Sequence, residues 1–420
     1  MCALARWYQS LGWNVTGCDR SSQDNPSLDG IAVAEGHSRS HLDGQDAVVF
    51  TAAMADDCPE VLEARKRGIR TLRRSEALGE LTRGCSTMAV AGAHGKTSTT
   101  SMTGWILQEV GMNPTVFLGG GMTPWGGNFR PGGPLAVVEA DEYDRAFLRI
   151  TSAHAAVTSF DLEHLECYGS SEALEWAFEV FLELTLPGGT VVVPAEKPSL
   201  GRYAARIGRR VVVCGPSGDC HLMPMESSGW GMDFSLEGVP GRLPAPGVHN
   251  LRNAETAVAL CGAAGVEPKD AVEALSTWPG VQRRLERIGE TRGTVLISDY
   301  AHHPREIAAA ISAVKQAIKG SVDVVFQPHL FSRTGSMFRE MAHALLPAEN
   351  VWVLPIYPSR EQPVEGVTSE LITRESGGRF QEVCEERLTE VVRGSSAGAI
   401  LFMGAGSVDE MARRTMGELK

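Results

Sequence analysis

Short apolar runs recur along the chain, and stretches with helical spacing separate them. Met1–Gln9 puts its apolar positions on one helix face, and Trp13–Asp19 reads as a strand ending in an acid. Ala47–Thr51 is a further strand, and Pro59–Arg67 and Ser75–Thr82 read as helices. A second series starts with strand Thr87–Ala91. It continues through strands Leu135–Ala140 and Ala155–Ser159, helix Ser171–Leu184, strand Thr190–Pro194 and, later, helix Asn250–Ala264. A third series holds strands Thr294–Asp299, Val322–Gln327, Val351–Pro355 and Ala399–Met403. Strands alternating with helices predict an α/β class with parallel sheets. The Gly/Pro-rich stretch Gly215–Gly247 reads as irregular, and Trp278-Pro279-Gly280 as a linker.

The chain has 420 residues, too many for one ordinary core. Three α/β domains in series are expected: residues 1–84, 85–278 and 279–420. The first has an irregular start. In a dinucleotide-type fold the first helix follows a strand and a glycine turn. Nothing of that kind precedes Met1–Gln9, so this domain is expected to be N-terminally incomplete.

Composition changes the picture little. Hydrophobic residues at 43% and charged residues at 21% suit a soluble globular protein. A net charge of −12 argues against general binding to nucleic acid or anionic membranes. Nine scattered cysteines with no CxxC pair suit a reducing cytoplasm. No apolar run approaches a membrane span and no signal-peptide pattern opens the chain, so a cytoplasmic location is expected.

Candidate chemistry gathers where strands end. After Thr87–Ala91 comes Gly92-Ala93-His94-Gly95-Lys96-Thr97-Ser98. A strand, a glycine turn and Lys-Thr opening a helix can cradle a nucleoside triphosphate on backbone N–H groups. Lys96 would neutralise phosphate oxygens, and Thr97 would offer Mg²⁺ its hydroxyl. Only two residues separate Gly92 from Gly95, where the usual P-loop has four, so a ligand-free glycine turn stays open on this motif alone. The strand Leu135–Ala140 runs into Glu139, Asp141, Glu142 and Asp144, either a Mg²⁺ carboxylate site or a solvated acidic loop. Phe160-Asp161-Leu162-Glu163-His164 places a potential metal-ligating imidazole past another strand; a lone surface histidine is the alternative. Asn250 and Asn253 share a helix face and can read an adenine edge, or Asn250 can cap the helix. Arg283 and Arg284 fit a solvated basic edge as well as a site. Asp299-Tyr300-Ala301-His302-His303 and His329-Leu330-Phe331-Ser332-Arg333 crowd polar groups beyond two strands, a density that packing does not explain.

In this order the motifs resemble the Mur ligase family over nearly the whole chain. Asp-Tyr-Ala-His-His-Pro at Asp299–Pro304 and Phe-Gln-Pro-His at Phe326–His329 are the most specific. The resemblance implies a Rossmann-like UDP-sugar domain, a central P-loop ATPase domain on a parallel sheet, and a Rossmann-like last domain that closes with the amino acid. It implies a cytoplasmic, Mg²⁺-dependent enzyme of peptidoglycan synthesis. Such an enzyme uses ATP to join L-alanine to UDP-N-acetylmuramate through an acyl phosphate. Carried over by motif, Gly92, Ala93, His94, Gly95, Lys96, Thr97 and Ser98 would hold ATP, with Asn250 and Asn253 on adenine and Asp299 on the ribose. Thr97 and Glu139 would hold one Mg²⁺, and His164 would serve a second. Lys96, Arg284 and His302 would be catalytic, and Tyr300, His302 and Arg333 would line the L-alanine site. Asp19, Thr51 and Ala52 would face the UDP-sugar.

Three departures stand out. Glu163 replaces the family's Asp before His164, and Leu330 stands where many members have Arg. The family's Gly-rich UDP turn, just before the residue matching Met1, is absent, and weakened UDP-sugar binding is expected. Two other readings remain: a relative that attaches a preformed peptide to the same sugar nucleotide, and a nucleotide-binding protein without catalysis.

Overall fold

The computed structural model describes residues 1–20, 28, 30–51, 54, 58–161 and 165–419. The described chain divides into two compact units. The first holds Met1–Met223, Ser235–Gly241 and Arg252–Pro279; the second holds Pro224–Phe234, Arg242–Leu251 and Gly280–Lys420. The break at Pro279/Gly280 falls within the expected linker. Several elements form over the residues their pattern predicts, among them helix Pro59–Arg67 and strands Thr190–Pro194, Thr294–Asp299 and Ala399–Met403.

The first helix, Cys2–Ser10, buries Ala3, Leu4 and Trp7, as its amphipathic spacing requires. The Trp7 ring lies 5.9 Å from Phe129 and 6.1 Å from Phe117. The expected parallel pairing of the first 84 residues is present among the described residues. Thr16–Asp19 pairs with Ala32–Glu35, and Ala47–Phe50 pairs with Arg70–Arg73, as two separate parallel pairs. A doubly wound sheet carries the strand that leads into its first helix at its centre. Among the described residues no strand joins the two pairs into one sheet.

The first unit is built on a seven-stranded sheet. Its order is Arg210–Cys214, Thr190–Pro194, His154–Val157, Ser86–Ala91, Leu135–Glu139, Thr115–Met122 and Gly127–Arg130. Neighbours run parallel except the last pair, an antiparallel hairpin. Ser86–Ala91 sits in the middle with every residue but the first buried, which is why it reads as an unbroken apolar run. Its carboxyl end lies level with two neighbours, Val90 opposite Glu139 and Ala91 opposite Val157. The segments 92–98, 140–144 and 158–161 therefore leave one end of the sheet together.

Gly215–Gly247 is not irregular throughout. It contains strands Met223–Pro224, Met232–Leu236 and Val239–Leu243 in a small sheet. Met232, Phe234 and Leu236 are buried and their neighbours less so, a period-two pattern hidden among the glycines.

The second unit carries a six-stranded sheet. Its order is Glu286–Thr291, Thr294–Asp299, Ala399–Met403, Val322–Phe326, Val351–Val353 and Gln381–Glu382, parallel apart from the first, antiparallel pair. Asp299 and Phe326 both lie opposite Met403. The loops after these three strands leave from one carboxyl end, where α/β sheets place their ligands.

Candidate active site

In the first unit the phosphate-loop residues form a tight cradle. Gly92 has φ +135°, and a Cβ there would lie 2.2 Å from Thr158 Oγ1. Gly95 has φ +80°, and a Cβ there would lie 2.1 Å from Asn253 Oδ1. Both positions need glycine for conformation and for space. Helix Lys96–Glu109 starts directly after Gly95, so its first N–H groups border the turn. The turn is braced from the strand end beside it: Ser159 Oγ accepts the His94 N–H at 2.8 Å, and Thr158 Oγ1 donates to the His94 carbonyl at 2.5 Å. His94 Nε2 lies 3.4 Å from Asp161 Oδ2.

Lys96 folds back on its own loop. Its Nζ donates to the Gly92 carbonyl at 2.7 Å, the Ala93 carbonyl at 3.2 Å and Glu142 Oε1 at 2.8 Å. Burial alone would lower its pKa, but Glu142, Asp141 and Glu139 outweigh that and hold it above the ordinary lysine value. Glu139 is raised above the usual carboxylate range, mainly by burial. Its oxygens accept the Thr97 hydroxyl at 3.0 Å and the Gly119 N–H at 2.6 Å. A Cβ on Gly119 would come within 2.7 Å of Glu139 Oε1, so the backbone can approach only because residue 119 has no side chain.

The second unit gathers a different set. Arg283 and Arg284 lie 4.7 and 5.1 Å from the Tyr300 ring centroid. From Tyr300 the contacts pass edge-on to His302 at 5.5 Å, to His329 at 5.9 Å, and to Tyr357 at 5.9 Å in a stack. Arg333, in the first turn of helix Phe331–Leu345, reaches 3.4 Å from His329 Nδ1. Burial pushes His302 and His329 down to about 4, with help from the Arg333 charge. Burial and Arg284 push His249 down to about 4 as well. These imidazoles are neutral at neutral pH. His302 Nδ1 faces the Tyr300 carbonyl at 3.0 Å and donates to it, leaving the Nε2 lone pair available. Burial raises Asp299 to about 6, against the pull of Arg284 and two backbone N–H groups. Those groups are Leu285 N on Oδ2 at 2.7 Å and Ala301 N on Oδ1 at 2.8 Å. Leu330 has φ +68°, a backbone conformation that favours glycine and that costs a residue with a side chain about 1–3 kcal/mol.

The expected residues thus fall into two sets. The cradle unites Gly92 to Ser98 with Glu139 and Asn253, and the second set unites Arg284, Asp299, Tyr300, His302 and Arg333. Asn250 does not cap its helix, which begins at Val248; Asn250 Nδ2 donates to the Pro246 carbonyl at 2.9 Å. Asp19 ends the strand Thr16–Asp19, and Thr51 follows Ala47–Phe50, so they stand in different strand pairs. Ala52, Glu163 and His164 lie outside the described residues. Sequence reading missed Glu142 as the partner of Lys96, Thr158 and Ser159 as braces, the Gly119 donor, and the places of His329 and Tyr357 in the ring series. Pro-Ile-Tyr at Pro355–Tyr357, just past an apolar run, was the available signal for Tyr357.

Comparison with known proteins covers the whole chain. Residues 1–85 match the family model described as Mur ligase family, catalytic domain. Residues 90–261 match the Mur ligase middle domain, and residues 283–406 the Mur ligase, glutamate ligase domain. A UDP-N-acetylmuramate–L-alanine ligase of Rhodopseudomonas palustris is 36% identical, aligned over 100% of this chain and 95% of that protein. Its counterpart in Agrobacterium fabrum is 34% identical over 100% of this chain and 94% of its own. The solved UDP-N-acetylmuramate-alanine ligase of Thermotoga maritima superposes with a TM-score of 0.84 at 28% identity, covering 100% of this chain and 96% of that one. A murein peptide ligase of Psychrobacter arcticus shares the fold, with a TM-score of 0.70 at 22% identity and coverage of 99% and 96%.

Proposed function

The chain belongs to the Mur ligase family, and from that premise we propose that it joins L-alanine to UDP-N-acetylmuramate with ATP, in peptidoglycan precursor synthesis. It is an amide-forming ligase with the family's three-domain architecture. We assign the sugar nucleotide to residues 1–84, ATP to 85–278 and L-alanine to 279–420. One observation carries the reading: a UDP-N-acetylmuramate–L-alanine ligase is 36% identical in an alignment that spans this chain from end to end.

A carboxylate is a poor acyl donor because oxide would have to leave. An oxygen of the lactyl carboxylate therefore attacks the γ-phosphorus, the bond to ADP breaks, and an acyl phosphate forms. The amine of L-alanine then attacks the acyl carbon, the C–O bond breaks, phosphate leaves, and the nitrogen gives up a proton. The chain's share is positioning and charge neutralisation. Gly92 to Ser98 offer backbone N–H groups, and Lys96 moves from Glu142 to the phosphate oxygens. Arg284 takes up charge developing on the same group. Asn250 and Asn253 are assigned to adenine, and Asp299, whose oxygens retain lone pairs beyond their two N–H donors, to the ribose.

Thr97 Oγ1 and Glu139 Oε1, two hard oxygens 3.0 Å apart, fit a Mg²⁺ ion, which needs few protein ligands. When bound, the ion would supply further neutralisation of the phosphates. His164 keeps an assignment to a second ion on its motif alone, and Asp19, Thr51 and Ala52 keep theirs to the UDP-sugar. Arg333 clamps the L-alanine carboxylate, with Tyr300 beside it. His302 Nε2 accepts the amine proton; with a pKa of about 4 it holds that proton weakly and passes it to water. On this reading the reaction takes place in the cytoplasm, where ATP is supplied. Among the described residues no helix is long and apolar enough to cross a membrane.

The test measures ADP release and product mass with UDP-N-acetylmuramate, ATP and either L-alanine or a tripeptide. Product from L-alanine alone is expected. Product only from the tripeptide would identify the peptide-adding relative, and ATP binding without ADP release would identify a non-catalytic protein.

A further inference from the structure

In the first 84 residues, four side chains from separate chain positions converge on one point. Cys18 lies on strand Thr16–Asp19, His37 in the turn after Ala32–Glu35, His41 in the short helix Arg39–Leu42, and Glu60 in the first turn of helix Pro59–Arg67. All four lie in the domain assigned to the sugar nucleotide, and none is among the residues named for contact with it, with ATP or with L-alanine. Cys18 Sγ is 3.3 Å from His37 Nδ1 and 2.9 Å from Glu60 Oε2, and those last two atoms are 3.2 Å apart. Glu60 is buried, at 5% exposure. Its other oxygen, Oε1, is held by His41 Nδ1 at 2.6 Å and by the Ser38 N–H at 3.2 Å.

A nucleophilic cysteine needs a linear relay, with thiol and acid on opposite imidazole nitrogens. Here thiol and carboxylate meet the same nitrogen, and the thiol also meets the carboxylate. The three atoms form a closed triangle with edges of 2.9, 3.2 and 3.3 Å. The point equidistant from all three lies about 1.8 Å from each, so an ion raised about 1 Å from that plane sits at zinc bond lengths of about 2.0–2.3 Å. Sulfur, imidazole and carboxylate together suit Zn²⁺ and exclude the hard-oxygen preference of Mg²⁺. Cys18 Sγ also lies 3.2 Å from Oε1, and His41 holding that second carboxylate oxygen is the outer support that metal-ligating groups ordinarily have.

We propose that Cys18 Sγ, His37 Nδ1 and Glu60 Oε2 bind one Zn²⁺-like divalent ion, with His41 as the outer partner of Glu60 and water in the fourth position. Binding expels the Cys18 thiol proton. The site does not depend on the ligase reading.

The experiment uses the full chain, stripped with chelator and titrated with Co²⁺ as a coloured stand-in. One equivalent should bind, with a thiolate-to-metal charge-transfer band that Cys18→Ser removes. His37→Ala and Glu60→Gln should weaken Zn²⁺ binding by more than tenfold, and His41→Ala by about 10–100-fold, as for other outer partners. On the unsubstituted chain, Zn²⁺ should protect Cys18 from maleimide labelling, read by mass spectrometry; this measurement stands even if a variant fails to fold. Absence of stoichiometric binding, a band that survives Cys18→Ser, or Cys18 labelled equally with and without Zn²⁺ would overturn the proposal.

Discussion

In the phosphate cradle of the first unit, the buried cation keeps its charge by pairing: Lys96 lies 2.8 Å from Glu142 and on two carbonyls of its own loop. In the second unit the bases stay neutral instead: His302 and His329 of the ring series, and His249 outside it, are all pushed down to about 4. Both arrangements avoid an isolated buried charge, which is costly. They differ in what a ligand must do. At the cradle, an anion has to draw Lys96 away from an existing partner. At the ring series, a proton donor would meet an imidazole whose Nε2 lone pair is not used by the bond to Tyr300.

The largest effect expected from this contrast is at Lys96. Lys96→Ala should lower turnover by about a hundredfold or more, the scale of losing one preorganised charge at the reacting phosphate, while the fold persists. Near-normal turnover would mean that the cradle does not serve phosphoryl transfer. At Arg333 the loss should appear in a different constant. Arg333→Ala should raise the L-alanine KM by about two orders of magnitude and leave ATP binding nearly unchanged, since removing one partner of a buried charged pair costs about 2–5 kcal/mol. Arg333→Lys should recover only part, because a point charge cannot reproduce the planar fork. If ATP binding falls instead, Arg333 belongs with the nucleotide.

The smallest effect sharpens the neutral side. A histidine depressed on folding stabilises the fold above its unfolded pKa of 6.5, and loses that contribution as pH falls toward about 4. Asp299, raised from 3.8 to about 6, works the other way and loses its contribution as pH rises through that window. Three histidines against one aspartate leave a net of about two protons, so the second unit should lose at most about 2–3 kcal/mol per pH unit on acidification from 6 to 4. His329 is only partly buried, which places the true slope below that ceiling. Hydrogen exchange in strands Val322–Phe326 and Ala399–Met403, corrected for intrinsic rates, measures it. A flat profile there would show that the histidines are charged at neutral pH or remain buried and neutral in the unfolded ensemble.

How much of this was legible in sequence depended on separation along the chain. Buried parallel strands such as Thr190–Pro194 read cleanly because both faces are apolar. Glu286–Thr291 did not, because its charged side chains mask an edge strand with little buried surface. Hairpin Thr115–Arg130 was hidden by Gly119-Gly120-Gly121, residues that normally end strands and here admit Glu139. The cradle was readable because Gly92 to Ser98 are consecutive. The hold of Glu142 on Lys96 was not, since their contact depends on two strands lying side by side. Tyr300 and His302 were readable as one loop, whereas their continuation to Tyr357 depends on a bridge from His329 to Tyr357.

Strand Thr115–Met122 carries two loads. Phe117 lies under Trp7 of the first helix, and Gly119 donates the 2.6 Å hydrogen bond that steadies Glu139. Two residues of extended chain separate these points, about 7 Å. The strand thus works like a short beam, pressed near one end by an aromatic wedge and holding a carboxylate near the other. Shaving that wedge, with Trp7→Ala, removes the weight from a beam whose far end aims an oxygen.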